Sequence, residues 1–408
     1  MNSTRALCEA LVHSISTSPL HRITFAQYMS IVLYHTKYGY YSTAAVNLGK
    51  KGDFFTSVHL GADFGELLTE QFVQMWEILG RPKPFTLVEM GAGQGLLALD
   101  TLKYMKQEYP DFFDCLDCII VEKSPGLREV QQQYLQEFPV RWCNLEDIQT
   151  NSITGCFFSN ELVDAFPVHQ CIIENGQLQE IYVTTEKNPT QRPHTGSGES
   201  LHQTVLEKVN YEFTEVTGEP STFELAKYFD LVGIKITESV YPEGYRSEVN
   251  LAALQWLSIL SDKLQRGYVL TIDYGYPASR YYNPRRSQGT LQCYYQHHRH
   301  SNPYINIGQQ DITTHVDFTA LEKWGKQCGL DKVGFTQQAL FLMSLGLGAR
   351  IASLSHQQQP ISQLLQRRDA LHQLHDPMGL GSFGVLAQTK GLTEAENLNQ
   401  LKGFAVPE

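Results

Sequence analysis

A predicted strand, a glycine-rich turn and a predicted helix follow one another in the first quarter of the chain and constrain its fold most. Residues 85–90 are mostly apolar and β-prone, which predicts a buried parallel strand. Gly91, Gly93 and Gly95 then occupy alternate positions, and the pattern of residues 96–108 predicts a helix. This order of elements brings bare backbone at a helix N-terminus against a nucleotide-like ligand.

The spacing of the glycines selects among such ligands. A dinucleotide fingerprint needs glycine at its sixth position, where Leu96 stands, and the Gly-Lys-Ser/Thr of a P-loop is absent. The acidic-x-Gly-x-Gly-x-Gly pattern resembles the first motif of class I S-adenosylmethionine-dependent methyltransferases. The resemblance implies S-adenosyl-L-methionine as the cofactor, and a tight turn without a ligand is the alternative. Four residues of this motif are the first predicted cofactor-binding residues: Glu89, Gly91, Gly93 and Gly95.

The bulk composition excludes several classes of protein. The chain has 408 residues, enough for two domains or for one domain with a large elaboration. Its 42% hydrophobic and 18% charged residues argue against general disorder. The formal net charge of −11 argues against broad binding of nucleic acid or of anionic membranes, because both need a basic surface. A soluble protein that tolerates a cationic partner fits this balance.

Cysteine and histidine do not form a recognisable metal motif. Cys115 and Cys118 form one C-x-x-C pair, but no second pair stands at zinc-finger spacing, so we expect reduced thiols in a cytosolic type of compartment. His297, His298 and His300 are grouped in a segment that predicts a solvated loop. We therefore predict no metal site.

The N-terminal sequence and the longest apolar run indicate where in the cell the protein is expected. No secretory signal is visible, and a matrix-targeting presequence is disfavoured because Arg5 and Arg22 are the only basic residues among the first 25, with Glu9 between them. The apolar run 339–349 is too short to span a bilayer. We predict a cytoplasmic protein with no membrane span, and the mitochondrial matrix is the alternative for a eukaryotic chain.

Strands and helices alternate after the glycine turn, which predicts a parallel α/β sheet. Glu122 ends the second predicted strand, 118–121, where a carboxylate can accept hydrogen bonds from both ribose hydroxyls. The third predicted strand, 140–143, is followed by Glu146 and Asp147. In class I methyltransferases an acid at this point accepts a hydrogen bond from the adenine amino group, and Asp147 is the preferred candidate.

The fourth predicted strand, residues 155–159, ends in an unusual polar group made of Asn160, Glu161 and Asp164. In class I methyltransferases the end of this strand faces the methyl group that is transferred. The three residues are therefore the candidate catalytic residues. Two later acids at strand ends could supply a second carboxylate or serve as local caps: Asp273 and Asp317.

Local patterns divide the chain into four predicted regions. They are a helical N-terminal lid (1–82), the first part of the core (83–185), an inserted substrate region (186–266), and the remaining core with C-terminal elements (267–408). Thr24 and Ser124-Pro125 read as helix N-caps. Two further helices are predicted at 222–232 and 247–264, an exposed insertion at 186–200, and a basic aromatic loop at 276–306.

Beyond these patterns, the chain resembles the MidA-type S-adenosylmethionine-dependent methyltransferases, the family that contains a mitochondrial complex I assembly factor that methylates an arginine. The matching segments keep family order over roughly residues 20–320, and Val58-His59 replace the Pro-Glu usual in the family. The matching segments are 23–29, 38–41, 52–57, 64–67, 87–95, 121–125, 160–167, 272–275 and 315–318. The resemblance implies an α/β class I methyltransferase (Rossmann-like) core with a mostly parallel sheet, a helical N-terminal lid and an inserted α+β substrate region.

The resemblance also implies roles for individual residues. A guanidinium is charged and delocalised, with a pKa above about 12, so carboxylates are needed to bind and orient it. Glu161 is the predicted guanidinium-binding carboxylate, Asn160 orients the cofactor or the substrate, and Asp164 is a candidate second carboxylate. Thr56 and Ser57 reach the carboxylate of the cofactor from the lid. Tyrosines that could line the pocket, or form a packed aromatic cluster, are Tyr38, Tyr40 and Tyr41.

The predicted function is methylation of an arginine in a protein partner, and the family-level partner is a subunit of a quinone-linked dehydrogenase complex. Methylation of a small molecule at oxygen or nitrogen is the first alternative. An assembly chaperone with a vestigial cofactor site is the second, and a dehydrogenase is disfavoured by Leu96. The oligomeric state is left open, with a homodimer among the options.

Overall fold

A seven-stranded sheet forms the core of the chain in this computed structural model, which describes residues 3–43, 56–186, 211–296, 298–354 and 360–406. Its strands are β2 (Phe85–Met90), β3 (Leu116–Val121), β4 (Val140–Cys143), β5 (Ile153–Asn160), β10 (Leu264–Asp273), β16 (Asp331–Gln337) and β17 (Gly384–Lys390). Five strands run parallel in the order β4-β3-β2-β5-β10. Strand β17 pairs antiparallel with β10, and β16 pairs with the outer side of β17.

The first core strand, β2, is the middle one of the five parallel strands, because the chain adds strands on both sides of it. All six residues of β2 are buried, as expected for a strand covered by helices on both faces. The reversal of strand order between β3 and β5 leaves a crevice at the carboxyl ends of these strands, which is where open α/β sheets bind ligands. The sheet topology thus directs the end of β2 toward a ligand site.

Helices cover both faces of the core sheet. Those that precede or follow the parallel strands are α4 (Asp63–Ile78), α5 (Leu96–Glu108), α6 (Pro110–Phe113), α7 (Pro125–Tyr134), α9 (Leu251–Lys263) and α11 (Phe318–Gln327). Phe64, Phe72 and Trp76 of α4 pack on one face of the sheet, and Trp256 and Leu257 of α9 pack on the other. The predicted N-cap Ser124 is confirmed, because its side chain accepts a hydrogen bond from Leu127 N.

A second, antiparallel sheet stands beside the core. Its strands are β1 (Ile23–Thr24), β6 (His169–Glu174), β7 (Gln177–Glu186), β8 (Glu212–Gly218) and β9 (Arg246–Val249). The predicted hairpin turn at Asn175-Gly176 joins β6 and β7, and both turn residues have positive φ. The predicted boundary between the first part of the core and the inserted region, at residues 185 and 186, falls inside β7.

The N-terminal helices pack on this second sheet. They are α1 (Ser3–Thr17), α2 (Phe25–Tyr34) and α3 (Tyr40–Thr43). The predicted N-cap Thr24 is confirmed by a full capping box with Gln27. Phe25, Tyr28 and Met29 are fully buried against residues of β7 and β8 and of the 291–312 segment. This packing holds the end of α2 and the short α3 next to the crevice of the core sheet.

Some sequence-based predictions of local structure were wrong or incomplete. The helix predicted over 247–264 begins only at Leu251, because Arg246–Val249 pair with β6 as the antiparallel strand β9. The segment 276–306 is not a single loop: it holds most of β11 (Gly275–Tyr276), then α10 (Ala278–Tyr281), β12 (Gln292–Tyr295) and β13 (His298–His300). The other short strands are β14 (Asp311–Thr313) and β15 (Val316–Asp317).

The C-terminal part adds helices around the two outer strands of the core sheet. They are α12 (Gln338–Ser344), α13 (Leu347–Ser353), α14 (Ile361–His375) and α15 (Glu394–Asn397). A further helix, α8 (Glu224–Val232), belongs to the inserted region and packs against α9 and α11. None of the helices in the described ranges is both long and apolar enough to cross a membrane. Residues 187–200 of the predicted insertion, His297, and residues 44–55 with most of the 52–57 motif lie outside the described residues.

Candidate active site

A cavity of about 350 Å³ opens at the carboxyl ends of β2, β3 and β5. This volume is within the usual range of small-molecule sites, about 300–1,000 Å³. Its walls bring together residues from the glycine turn, the ends of three strands, the N-terminal helices and the segment that begins at Thr56. Predicted site residues that line it are Thr56, Glu89, Gly91, Gly93, Glu122, Asn160, Glu161 and Asp164.

The glycine turn has a backbone that only glycine adopts without strain. Gly91, Gly93 and Gly95 have φ values of 68°, 55° and 80°. A Cβ atom on Gly91 would lie 2.6 Å from Cδ1 of Leu162, whereas a Cβ on Gly93 would meet no atom within 4 Å. Gly93 therefore presents bare backbone to the cavity. Gly95 stands one step behind it, as the N-cap of α5, outside the cavity lining.

Glu89 is a buried carboxylate at the rim of this turn. It is 4% exposed, and its Oε2 atom has no hydrogen-bond partner in the described part of the chain. Burial, and secondarily the charge of Glu122, raise the pKa of Glu89 to about 8. An ammonium group placed here would satisfy the oxygen and compensate its charge. The amino-acid end of S-adenosyl-L-methionine carries such a group, so Glu89 and the glycine turn fit this cofactor.

Glu122 is held in place at the end of β3. Its Oε1 accepts a hydrogen bond from Ser124 N at 2.9 Å, and its Oε2 accepts one from Gln131 Nε2 at 3.3 Å. Gln131 Nε2 also donates to the carbonyl of Gly93 at 2.7 Å. The side-chain amide of Gln131 thus connects Glu122, the predicted ribose acceptor, to the glycine turn. Burial raises the pKa of Glu122. The carboxylate keeps lone pairs for further donors, which suits ribose hydroxyls.

Asn160 and Glu161 end β5 on the opposite wall. Glu161 has φ 51°, a left-handed conformation that costs energy in residues other than glycine and is common at functional sites. Its Oε1 accepts hydrogen bonds from Asn160 Nδ2 at 3.1 Å and from Ser57 N at 3.4 Å. Burial, and then the charge of Asp164, raise the pKa of Glu161 to about 8. The carboxylate is therefore held in place by two hydrogen bonds, and no lysine or arginine of the described ranges forms an ion pair with it.

Asp164 and Asp273 form a buried acidic pair behind Glu161. Burial raises the pKa of both, and in Asp273 the charges of Asp164 and Glu161 add to the effect. Asp273 Oδ2 accepts hydrogen bonds from Leu162 N and Val163 N, which makes it a cap for the turn that carries Glu161. Asp164 Oδ1 has no hydrogen-bond partner in the described ranges. Only Asp164 of this pair lines the cavity.

Three further predicted residues lie outside the cavity lining. Asp147 is exposed, and its Oδ2 accepts hydrogen bonds from the backbone N and Nδ2 of Asn144, both at 3.0 Å. Asp317 caps α11 by accepting from Thr319 N and Ala320 N. Ser57 is fully buried, and its hydroxyl accepts from Gln338 Nε2 at 3.3 Å. The adenine contact of Asp147 and the cofactor contact of Ser57 stay predictions.

Several cavity residues were not found from the sequence. Asp311 accepts a hydrogen bond from the hydroxyl of Tyr41 at 2.8 Å, and Tyr34 donates to the carbonyl of Ala165 at 2.8 Å. His59 also lines the cavity, with its Nδ1 2.9 Å from Oγ1 of Thr56. No local motif marks Asp311 or Tyr34, because their contacts join distant segments. His59 meets Thr56 locally, and the sequence marks it only as a departure from the family motif. Tyr41 of the predicted tyrosine group lines the cavity, whereas Tyr38 and Tyr40 do not.

Comparison with known proteins identifies the family. A family model described as “Putative S-adenosyl-L-methionine-dependent methyltransferase” matches residues 67–336. The chain is 28% identical to the protein arginine methyltransferase NDUFAF7 homolog, mitochondrial, of Drosophila melanogaster, over 93% of this chain and 84% of the relative. It is 26% identical to the human protein arginine methyltransferase NDUFAF7, mitochondrial, over 96% and 86% of the two chains.

A solved structure supports the same relationship. A Burkholderia thailandensis protein bound to S-adenosyl-homocysteine superposes with a TM-score of 0.81, at 28% sequence identity, covering 99% of this chain and 95% of that chain. The predicted α/β fold with a sheet core is thereby confirmed. The predicted cofactor class is confirmed too, since the matched family is defined by dependence on S-adenosyl-L-methionine. The chain therefore belongs to this family of S-adenosyl-L-methionine-dependent methyltransferases.

Proposed function

We propose that the protein methylates a guanidinium nitrogen of an arginine in a protein partner. The observation that carries this proposal is a pair of carboxylates, Glu161 and Asp164, in the wall of the cavity that holds the glycine turn. Neither carboxylate forms an ion pair with a lysine or arginine of the described ranges. Since buried charges are normally paired, an incoming cation is the ligand that this wall lacks. The arginine methyltransferases among the relatives support the same substrate class.

The chain's own residues have distinct roles in this proposal. Glu161 accepts N–H bonds from the guanidinium in a fork and so fixes its rotation. Asn160 keeps Glu161 in place through its amide. Oδ1 of Asn160 has no hydrogen-bond partner among the described residues and can accept a further N–H. Asp164 takes the proton that a guanidinium nitrogen must lose as it becomes methylated, which its raised pKa favours.

The opposite wall holds the cofactor, which supplies an electrophilic methyl group on a sulfonium when bound. Glu89 and Gly93 contact its amino-acid end, and Glu122 accepts hydrogen bonds from the ribose hydroxyls. Thr56 and Ser57 cover the cofactor's carboxylate, and Asp147 accepts a hydrogen bond from adenine. Because both walls are built on strand ends, the two ligands are positioned by the rigid sheet, and such positioning is a large part of the rate enhancement.

The finer assignments follow the sequence resemblance. The proposed partner is a subunit of a quinone-linked dehydrogenase complex. The relatives carry “mitochondrial” in their names, which supports the mitochondrial matrix over the cytoplasm for a eukaryotic source. The proposed architecture is a Rossmann-like core with residues 1–82 as a lid and an inserted substrate region.

A labelling experiment tests the proposal. Purified protein is incubated with methyl-labelled S-adenosyl-L-methionine and an extract of cells that lack the gene, separated into protein and small-molecule fractions. We expect the label in the protein fraction, and methylarginine after acid hydrolysis. Label in the small-molecule fraction alone would replace the proposal with small-molecule methylation. Cofactor binding with no label in either fraction would favour a chaperone. Glu129→Gln changes an exposed acid outside the cavity, so it is the matched control for Glu161→Gln and retains full labelling.

A further inference from the structure

Two arginines pack on one aromatic ring beside the candidate active site, and a third, Arg299, lies on β13. The Cζ atoms of Arg280 and Arg286 lie 4.2 and 4.8 Å from the ring centroid of Tyr276. The ring of His315 stacks on Tyr276, with 4.9 Å between centroids and 20° between planes. Burial, and then the positive charges of Arg286, Arg299 and Arg280, lower the pKa of His315 to about 4. We call these five residues the Tyr276 cluster.

The positive charge of this cluster has no paired carboxylate in the described part of the chain. The chain carries a net charge of −11, yet no ion pair in the described ranges joins Arg280, Arg286 or Arg299 to a carboxylate. Arg286 donates to the carbonyls of Arg280 and Tyr281, and Arg299 donates to Gln292, so their ordering contacts are neutral. Arg280 and Arg299 are exposed. An anionic group from outside could therefore reach them.

A chain of contacts links the cluster to the cavity. Tyr274 meets His315 edge-on, with 4.9 Å between ring centroids. Thr314, which precedes His315 in the chain, donates its backbone N–H to the carbonyl of Asp164 at 2.9 Å, and Asp164 lines the cavity. The basic cluster is therefore joined to the wall of the acidic cavity by direct contacts. A ligand that spans both needs a positive group at one end and a negative group at the other.

We infer that the Tyr276 cluster binds an acidic side chain of the substrate protein, in the same segment as the arginine that enters the cavity. This inference rests on the proposed function and adds a rule of substrate selection to it. An arginine fork matches a carboxylate in shape and charge, and the Tyr276 ring keeps the forks in place. A nucleic-acid strand fits less well, because its phosphates would be repelled by the carboxylates of the cavity wall.

Short fluorescent peptides test the inference directly. Each has one central arginine in a glycine-serine background, flanked by glutamates in one peptide and by glutamines in the other. Binding is measured by anisotropy at low ionic strength, with S-adenosylhomocysteine present. We expect the glutamate peptide to bind about tenfold tighter, and Arg280→Glu or Arg299→Glu to reduce this preference to about twofold or less. Arg368→Glu, the same charge change on the exposed face of α14, keeps the preference.

The outcomes separate this inference from the proposed function. Absence of a preference for the glutamate peptide, or a preference that survives both Arg280→Glu and Arg299→Glu, overturns it even if arginine is methylated. A preference that depends on these arginines supports it even if neither peptide is methylated, and the proposed function would then fail alone. A single-stranded RNA that displaces the glutamate peptide and loses binding in the same variants would also overturn it. Arg280→Glu lies on α10 and Arg299→Glu lies on β13, so the test still has one variant if the other one misfolds.

Discussion

The backbone N–H of Ser57 donates a hydrogen bond to Oε1 of Glu161 across 3.4 Å, although 104 residues separate them in the chain. The same oxygen accepts the amide of Asn160. Through these two bonds, the segment that precedes α4 and the end of β5 fix one carboxylate in the wall of the cavity. The position of Ser57 and the orientation of Glu161 are therefore coupled.

The first prediction concerns stability against pH. The pKa of Glu161 is raised from 4.5 to about 8, as is that of Glu89, so the folded chain holds protons that the unfolded chain has released. The free energy of unfolding therefore falls as the pH rises between about 4.5 and 8. Glu161→Gln removes one such group and should raise stability at pH 8 by at least about 1 kcal/mol, the value of roughly one pKa unit.

Denaturant unfolding at several pH values measures this effect. Glu146→Gln is the control, because this exposed glutamate lies outside the cavity and its replacement should leave the slope unchanged. A wild-type stability that increases from pH 5 to 8, or a Glu161→Gln variant less stable than wild type at pH 8, would contradict the account of a carboxylate buried without a cation.

The second prediction concerns the bare backbone of Gly93. Gly93→Ala and Gly80→Ala both place a side chain at positive φ, with no atom within 4 Å of the new Cβ. Each should therefore cost a similar free energy of unfolding, about 1–2 kcal/mol. Only Gly93 lines the cavity, so only Gly93→Ala should weaken S-adenosylhomocysteine binding, by about tenfold or more. Calorimetric titration checks this, and equal affinities in the two variants would exclude the glycine turn as the binding surface.

The third prediction concerns the ribose acceptor. Glu122→Gln should lower affinity for S-adenosylhomocysteine by about tenfold, because hydrogen bonds to a charged group contribute about 1.5–3 kcal/mol. Glu129→Gln is the control, an exposed glutamate on α7. The same titration with Asp147→Ala tests the predicted adenine contact. If Asp147 makes this contact, its replacement should lower the affinity for S-adenosylhomocysteine by a comparable factor. An unchanged affinity in Glu122→Gln would show that the ribose lies elsewhere.

The fourth prediction concerns the C-terminal helices. Arg367 on α14 binds Asp63 on α4 with two hydrogen bonds, Nε to Oδ2 at 2.8 Å and Nη2 to Oδ1 at 2.6 Å. Arg367→Ala removes this arginine from the carboxylate of Asp63, which is only 8% exposed. The loss should lower the free energy of unfolding by about 1–3 kcal/mol. Its neighbour Arg368 is exposed, so Arg368→Ala should cost less than about 0.5 kcal/mol. Equal effects in thermal unfolding would mean that α14 does not stabilise α4.

Sequence analysis predicted the positions of those cavity residues whose placement depends on local structure. The glycine turn, Glu122 and Asn160-Glu161 each follow a buried parallel strand, and the carboxyl ends of such strands meet at one edge of the sheet. Asp311 escaped prediction because its partner Tyr41 is 270 residues away. The strand β9 was predicted as helix because pairing with β6, rather than its own residue pattern, decides its conformation. The Tyr276 cluster likewise draws its members from separate elements.

Quantitative mass spectrometry of methylarginine tests the proposed reaction at Glu161 most directly. Cells that express the wild-type chain, Glu161→Gln, or no copy are compared site by site, after calorimetry has established that Glu161→Gln keeps its affinity for S-adenosylhomocysteine within a few-fold. We predict that at least one methylarginine site is present with the wild-type chain and falls by about a hundredfold or more in both other strains. Methylarginine at wild-type levels in the Glu161→Gln strain would contradict the assignment of Glu161 as the guanidinium-binding carboxylate.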